Sequence, residues 1–413
     1  MEYGLIGEKL GHSYSPQIHA MLGNYSYHLL PMPPECLHEF MENKAFRGIN
    51  VTIPYKQAVI PYCQQLSDDA AEIQAVNTIV RQADGSLAGY NTDIDGFIAM
   101  LESAGISVAG KKAVILGSGG TSRTARVALK RMHAGEIVVI SRTGENNYQT
   151  LYEKHGDAGL LVNTTPVGMY PNNGVSPVDL DRLPRLDSVA DVIYNPEKTM
   201  LILEAQQRGL RTVSGLHMLV AQARKAAELF TGKTICAEAD LPIIRKIKAE
   251  TLNLVLIGMP GCGKTTIGGI IAEMTGRQLI DTDREIERIA GKSIPQIFSQ
   301  DGETAFRDLE ETVIRNACSQ QGKVITTGGG AVLRRANRLS MASNGRVCML
   351  NRPMEHLATE GRPLSKSTDA LHVLWKERKP LYLAAADYQV MNTDAPQQAA
   401  IQALEGFYEA VGD

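Results

Sequence analysis

The sequence predicts an α/β fold with mostly parallel sheets. Two observations lead there. Short apolar runs alternate with stretches of helical period along the 413 residues, and twice such a run ends in a glycine-rich loop that opens a helical stretch. Strands are expected at 49–53, 113–116, 136–140, 159–163, 189–193, 253–257, 323–326 and 346–350. Helices are expected at 121–133, 217–230, 264–275 and 308–320. The residues around the two glycine loops differ, so the halves read as two unrelated folds rather than a duplication.

The length suits two or three domains of roughly 100–200 residues each. One boundary falls at 240–252, where Asp240-Leu241-Pro242 ends an apolar pattern and the polar run 245–251 leads into the next strand. That connector lacks Gly and Ser and is expected to be a constrained junction. A second handover is expected at 97–110. The net charge of -3 gives no electrostatic case for nucleic acid or an anionic membrane as partner. The six cysteines are scattered without a C-x-x-C pair, which argues against a zinc site or disulfide framework and fits a reducing cytoplasm. No signal peptide is visible, and no apolar stretch nears the ~18 residues of a spanning helix. Oligomeric state stays open.

The first loop, Gly117-Ser118-Gly119-Gly120-Thr121-Ser122-Arg123, follows Ala113-Val114-Ile115-Leu116. Glycines there let the backbone approach a pyrophosphate, and the following helix offers unpaired N–H groups at its positive end. The next strand ends in Ser141-Arg142-Thr143, with no acidic residue for ribose hydroxyls and a guanidinium able to hold a 2′-phosphate. NADP is therefore expected over NAD. Ahead of this unit, Ser13 and Ser15 lie two residues apart, Gly48–Tyr55 runs into Lys56, and Asn77-Thr78 and Asn91-Thr92-Asp93 add amides, hydroxyls and a carboxylate. The set suits a small polyhydroxylated acid. Taken singly, each residue also fits a turn, a helix start or a surface charge.

The motifs G-H-S-Y-S-P, N-V-T-I-P-Y-K, A-V-N-T, Y-N-T-D-x-x-G, G-S-G-G-T-S-R, S-R-T, N-T-T-P-V-G-M, D-V-I-Y-N-P and G-L-H-M-L-V-x-Q-A follow one another across residues 1–247. This stretch resembles shikimate dehydrogenase. The resemblance implies a substrate domain of 1–97 plus 217–247 and a Rossmann NADP domain of 98–216. It implies that Ser13, Ser15, Thr52, Asn77, Asp93 and Gln222 hold the substrate and that Lys56 and Asp93 form the catalytic pair. Gly117, Gly119, Gly120, Ser141, Arg142, Thr143, Thr164, Tyr194 and Gly215 would line the coenzyme. The paired serines resemble shikimate-selective members more than quinate users. The chain departs from the family pattern at Ala20 and His217, and it is short between Arg142 and Asn163.

The second loop, Gly258-Met259-Pro260-Gly261-Cys262-Gly263-Lys264-Thr265, matches the whole G-x-x-x-x-G-K-T spacing between strand and helix. In that pattern backbone N–H groups cradle phosphates, the lysine reaches the β/γ oxygens and the threonine helps hold Mg²⁺. Cys262 reads as a small residue that fits, with redox sensitivity as the sharper option. Leu279–Asp283 reads as a strand ending in two carboxylates on one side, one for magnesium and one to accept a hydroxyl proton. Val324–Gly330 ends another strand in three glycines, and Gly361-Arg362-Pro363-Leu364 suits a lid.

Residues 252–413 resemble shikimate kinase in this order of motifs. The resemblance implies that Gly261, Cys262, Gly263, Lys264, Thr265 and Thr266 bind MgATP, with Thr265 and Asp281 at the metal. Asp283 would be the base at the ring hydroxyl, Arg307 and Arg378 a carboxylate clamp, Gly329 and Gly330 the ring contacts, and Arg362 a lid group offsetting transition-state charge. Leu357-Ala358-Thr359 lacks an arginine the family often carries there. Arg307 and Arg378 could instead pair with helix carboxylates such as Glu310 or Glu377.

Together the resemblances imply a bifunctional enzyme that uses NADPH to reduce 3-dehydroshikimate and ATP with Mg²⁺ to phosphorylate the resulting shikimate. Two rivals remain: a ligand-sensing regulatory protein built from the same domains, and a quinate/shikimate dehydrogenase joined to another small-molecule kinase.

Overall fold

The computed structural model describes residues 2–11, 13–357, 368–393 and 395–412. The chain forms two compact units. The first comprises Met1–Val167, Ser176–Tyr194 and Glu204–Ile244; the second comprises Gly168–Val175, Asn195–Leu203 and Arg245–Asp413. This division differs from the expected blocks 1–247 and 252–413. Two short segments from the dinucleotide half belong to the second unit, and the expected linker is the end of a helix, Asp240–Thr251.

The first unit holds two sheets. A six-stranded sheet has the order Tyr27–Pro31, Tyr3–Gly7, Gly48–Val51, Thr78–Arg81, Leu87–Tyr90, Gln65–Leu66. It is mixed, with Thr78–Arg81 antiparallel to both of its neighbours. Most of these strands were not foreseen, because they run for only two to five residues. The second sheet has the order Arg211–Ser214, Ser188–Asp191, Leu160–Asn163, Lys112–Leu116, Glu136–Ile140. It is parallel throughout, so every carboxyl end lies on one edge. The short stretch between Arg142 and Asn163 still carries a helix, Tyr148–Lys154, started by an Asn147 capping box.

Gly96 sets the packing that joins these pieces. It lies in the helix Asp93–Ser103, and a Cβ there would meet Met218 O at 2.6 Å and Gln222 Cβ at 2.9 Å. Its bare backbone lets the helix Leu216–Thr231 approach, which brings Gln222 beside the helix that begins at Asp93.

The second unit is built on one parallel five-stranded sheet in the order Leu279–Asp281, Val324–Thr326, Asn253–Ile257, Gly345–Asn351, Tyr388–Met391. The central strand Asn253–Ile257 is fully buried, as its unbroken apolar run requires. The helix expected at 308–320 starts earlier, at Gly302, and ends at Cys318.

Glu197 ties its segment into this unit. Arg346 grips it bidentately, Nη1 to Oε2 at 2.7 Å and Nη2 to Oε1 at 2.9 Å, and Lys248 Nζ lies 3.2 Å from Oε1. All three side chains are largely buried. Burial alone would raise the Glu197 pKa, but Arg346, Lys248 and Lys198 outweigh it and hold the group at about 2. Because the folded value lies below the unfolded one, this stabilisation is present above about pH 4.5 and lost as pH falls toward 2. Glu197→Gln, which leaves Arg346 buried without its charge partner, is expected to cost on the order of 3 kcal/mol. Thermal melts should show a Tm lowered by several degrees at pH 7 and a difference that shrinks toward pH 3. An unchanged Tm at pH 7 would show that the pair adds nothing.

Candidate active sites

The first site is a cavity of about 570 Å³ in the first unit. Nine of the residues named from sequence line it together: Ser13, Ser15, Thr52, Lys56, Asn77, Asp93, Tyr194, Gly215 and Gln222. Asp93 is the first residue of its helix, and Lys56 donates from Nζ to Asp93 Oδ2 at 2.6 Å. Asn77 Nδ2 donates to Asp93 Oδ1 at 2.9 Å and to Thr92 Oγ1 at 3.0 Å, so the carboxylate is held at both oxygens. The Ser13 hydroxyl donates to Ser15 Oγ at 3.1 Å, placing the two side by side. The arrangement can hold an anionic, hydroxylated ring and deliver a proton to an oxygen beside Lys56.

Sequence reasoning quoted Asn50 within a motif but gave it no role. It lines the cavity, accepts from Tyr27 Oη at 2.7 Å, and donates from Nδ2 to Thr78 Oγ1 at 3.0 Å and to Asn77 O at 3.3 Å. Behind it, His19 stacks on Tyr27 with ring centroids 3.9 Å apart, and its burial pulls the imidazole pKa down to about 3. A neutral His19 therefore backs the polar floor of the cavity at physiological pH.

The remaining coenzyme-side residues lie along the carboxyl edge of the parallel sheet instead of in this cavity. Gly117 follows Lys112–Leu116 and donates its N–H to Ile140 O at 2.8 Å, which sets the glycine loop beside Ser141, Arg142 and Thr143. Thr164 Oγ1 donates to Leu116 O at 2.6 Å, and a Cβ at Gly117 would touch it. Gly119 and Gly120 start the helix Gly120–Arg131 with open space where a side chain would stand. Arg142 is exposed two residues after the strand Glu136–Ile140, where a guanidinium suits a phosphate. These residues fit a dinucleotide with a 2′-phosphate.

Gly215 is packed so that a Cβ would be driven into the Val192 carbonyl, on the segment that leads to Tyr194. Gly215→Ala must displace that backbone. We expect the apparent Kd for NADPH to rise about tenfold or more, read by coenzyme fluorescence titration. An unchanged Kd would place the coenzyme elsewhere.

The second site is a cavity of about 490 Å³ in the second unit. It gathers Gly261, Gly263, Lys264, Thr265, Thr266, Asp283, Arg307, Gly329, Gly330 and Arg378. Lys264 opens the helix Lys264–Thr275, and its ammonium is held by Gly258 O at 2.8 Å and Met259 O at 3.0 Å. The helix start and this cation line the same cavity, a combination that suits a phosphate.

Cys262 is buried in the core cluster of this unit, consistent with a small residue that fits the loop. The two carboxylates differ from expectation, since the strand ends at Asp281 and Thr282 begins a helix. Asp281 caps that helix, accepting from Asp283 N at 3.1 Å and Arg284 N at 3.2 Å. Its other oxygen accepts from Thr265 Oγ1 at 2.8 Å and Thr326 Oγ1 at 3.0 Å. Asp283, on the first helical turn, faces the cavity. A Thr265–Asp281 pair beside a phosphate loop fits Mg²⁺, which takes few protein ligands and completes its shell with phosphate and water. Among the described residues no group of three or more His, Cys, Asp or Glu could hold a metal by itself.

Arg307 donates to Glu310 Oε2 at 2.8 Å and to Glu303 Oε1 at 3.1 Å, and lies close against Gly330. Both the cavity placement and the helix ion pair foreseen for Arg307 are therefore present. Arg378 donates to Gly329 O at 3.0 Å. Glu310 was read only as a possible ion-pair partner, yet it lines the cavity. Burial raises its pKa, Arg307 opposes that rise, and Asp283 adds to it. Arg352, which the sequence reading missed, lines the same cavity just past the strand Gly345–Asn351. Arg362 lies outside the described residues.

An oxidoreductase-type cavity beside a dinucleotide edge and a P-loop phosphoryl-transfer cavity define an α/β enzyme with two chemistries. The shikimate kinase family model matches residues 260–407, and the model of the shikimate dehydrogenase substrate binding domain matches residues 5–79. The shikimate dehydrogenase (NADP(+)) of Methanopyrus kandleri is 40% identical over 281 residues, covering 60% of this chain and 95% of that protein. The corresponding protein of Halothermothrix orenii is 40% identical over 264 residues, covering 55% and 90%. Among solved structures, a chorismate mutase/shikimate 5-dehydrogenase fusion protein from Clostridium acetobutylicum matches with a TM-score of 0.56 and 36% identity, covering 60% of this chain and 97% of that one. A Thermus thermophilus shikimate 5-dehydrogenase, solved with NADP(H) and shikimate, matches with a TM-score of 0.54 and 32% identity, covering 60% and 99%. The chain belongs to the shikimate dehydrogenase family and carries a shikimate kinase domain in its C-terminal part. It is a bifunctional shikimate-pathway enzyme using NADP(H), ATP and Mg²⁺.

Proposed function

We propose that the first site reduces 3-dehydroshikimate to shikimate and that the second phosphorylates the 3-hydroxyl of that product. The observation that carries this reading is that each site has its acid–base group and its anion-binding groups in one cavity. Lys56, Asp93 and the serine pair line the first, and Lys264, Asp283, Arg307 and Arg378 line the second. NADPH, when bound, supplies a hydride to the carbonyl carbon. Negative charge then grows on the oxygen, where Lys56 stabilises it and delivers the proton, while Asp93 orients the lysine. Ser13 and Ser15 hold the carboxylate, and Thr52, Asn77 and Gln222 the hydroxyls.

In the second site Asp283 accepts the proton of the attacking hydroxyl. Arg307 and Arg378 orient the ring through its carboxylate, and Gly329 and Gly330 let it approach the backbone. Lys264 neutralises the transferring phosphoryl oxygens, and Thr265 with Asp281 would hold the metal. Domain roles follow the expected division: 1–97 with 217–247 for substrate, 98–216 for coenzyme and 252–413 for phosphoryl transfer. Cytoplasmic residence is proposed from the six free cysteines, two of them exposed thiols. Among the described residues no helix is long and apolar enough to cross a membrane.

The reading is tested by following NADPH oxidation with 3-dehydroshikimate and ADP formation with shikimate on one preparation. Both activities are expected. Quinate oxidation with NADP at a rate comparable to that with shikimate would favour the quinate-using alternative. Ligand binding without turnover would favour the regulatory one.

A further inference from the structure

Among the described residues, three charged side chains line the first cavity: Lys9, Lys56 and Asp93, and the acid–base chemistry does not use Lys9. Lys56 and Asp93 neutralise each other at 2.6 Å. Lys9 makes no hydrogen bond or ion pair among the described residues, so the cavity carries one uncompensated positive charge. It stands four residues before Ser13 and lines the same cavity as Ser13 and Ser15. The serine hydroxyls are neutral and already hydrogen-bonded to each other, so they can position a carboxylate but cannot balance its charge. The long lysine stem lets an exposed ammonium follow a ligand into the cavity mouth.

We propose that Lys9 is a specificity-determining residue for the dehydrogenase reaction, pairing its ammonium with the substrate's carboxylate above Ser13 and Ser15. The proposal rests on the reading of this cavity as the 3-dehydroshikimate site and adds to it the source of selectivity for an acid. A cation that binds the carboxylate equally in the ground and transition states changes KM and leaves kcat alone.

The test compares wild type, Lys9→Met and Lys9→Arg in steady-state reduction of 3-dehydroshikimate and of its uncharged methyl ester. The kinase rate of the same chain serves as the folding control. Lys9→Met is expected to raise KM for the acid roughly five- to tenfold, with kcat held within about twofold and KM for NADPH unchanged. Wild type should prefer the acid to the ester, Lys9→Met should lose that preference, and Lys9→Arg should keep it. An unchanged KM for the acid overturns the proposal, as does an equal loss for acid and ester, or an effect on KM for NADPH alone. A wild-type chain that reduces neither compound overturns the cavity reading itself, and the proposal with it.

Discussion

Lys264→Met is expected to lower phosphoryl transfer by about 10³-fold while hydride transfer proceeds at the wild-type rate. Methionine keeps most of the stem and volume, so the loop between Gly258 and Thr265 should hold its shape. What is lost is a buried cation held across the loop by the Gly258 and Met259 carbonyls, in the place where charge on the transferring group must be neutralised. The loss should appear chiefly in kcat, because that charge is largest in the transition state. ADP formation with shikimate and NADPH oxidation with 3-dehydroshikimate, measured on the same preparation, separate a chemical defect from misfolding. Kinase activity within about tenfold of wild type would remove Lys264 from the mechanism.

Lys56→Met should produce the mirror result, a loss of about 10²- to 10⁴-fold in hydride transfer with the kinase intact. Lys56 donates to the Asp93 carboxylate, which supports the proton-donor role proposed for it, and Asn77 keeps that carboxylate in position after the lysine is gone. The pocket should therefore still bind substrate, and KM should move much less than kcat. Asp93→Asn should slow the reaction less, because Lys56 keeps its charge and loses only its orienting partner. A Lys56→Met enzyme that retained wild-type kcat would place the proton donor elsewhere.

Much of both sites was legible from sequence because the chemistry sits on loops at the ends of strands that alternate with helices. In a parallel sheet those loops must gather along one edge. Thus Gly117, Ser141, Thr164 and Gly215, far apart in sequence, follow strands of one sheet, and Lys264, Asp283 and Gly329 share one cavity. Side-chain direction was harder to read. Asp281 and Asp283 looked like one face of a strand, but the chain turns into a helix at Thr282, so Asp281 became a cap and a partner for Thr265. The polar floor of Asn50, Tyr27 and His19 was invisible, because its members come from separate elements and only packing shows them together. Glu197 was equally hidden, since a glutamate after an Asn-Pro turn gives no sign that Arg346 will bury it. The short strands of the first sheet escaped because they run for only two to five residues, too few to show a period.

The central claim is that one chain carries out both reactions in sequence. It is tested most directly by mass spectrometry of the purified protein incubated with 3-dehydroshikimate, NADPH and MgATP. Shikimate 3-phosphate is the predicted product, with shikimate alone accumulating in Lys264→Met and starting material persisting in Lys56→Met. Shikimate without phosphate from the wild-type chain would contradict the kinase assignment, and unchanged 3-dehydroshikimate would contradict the account as a whole.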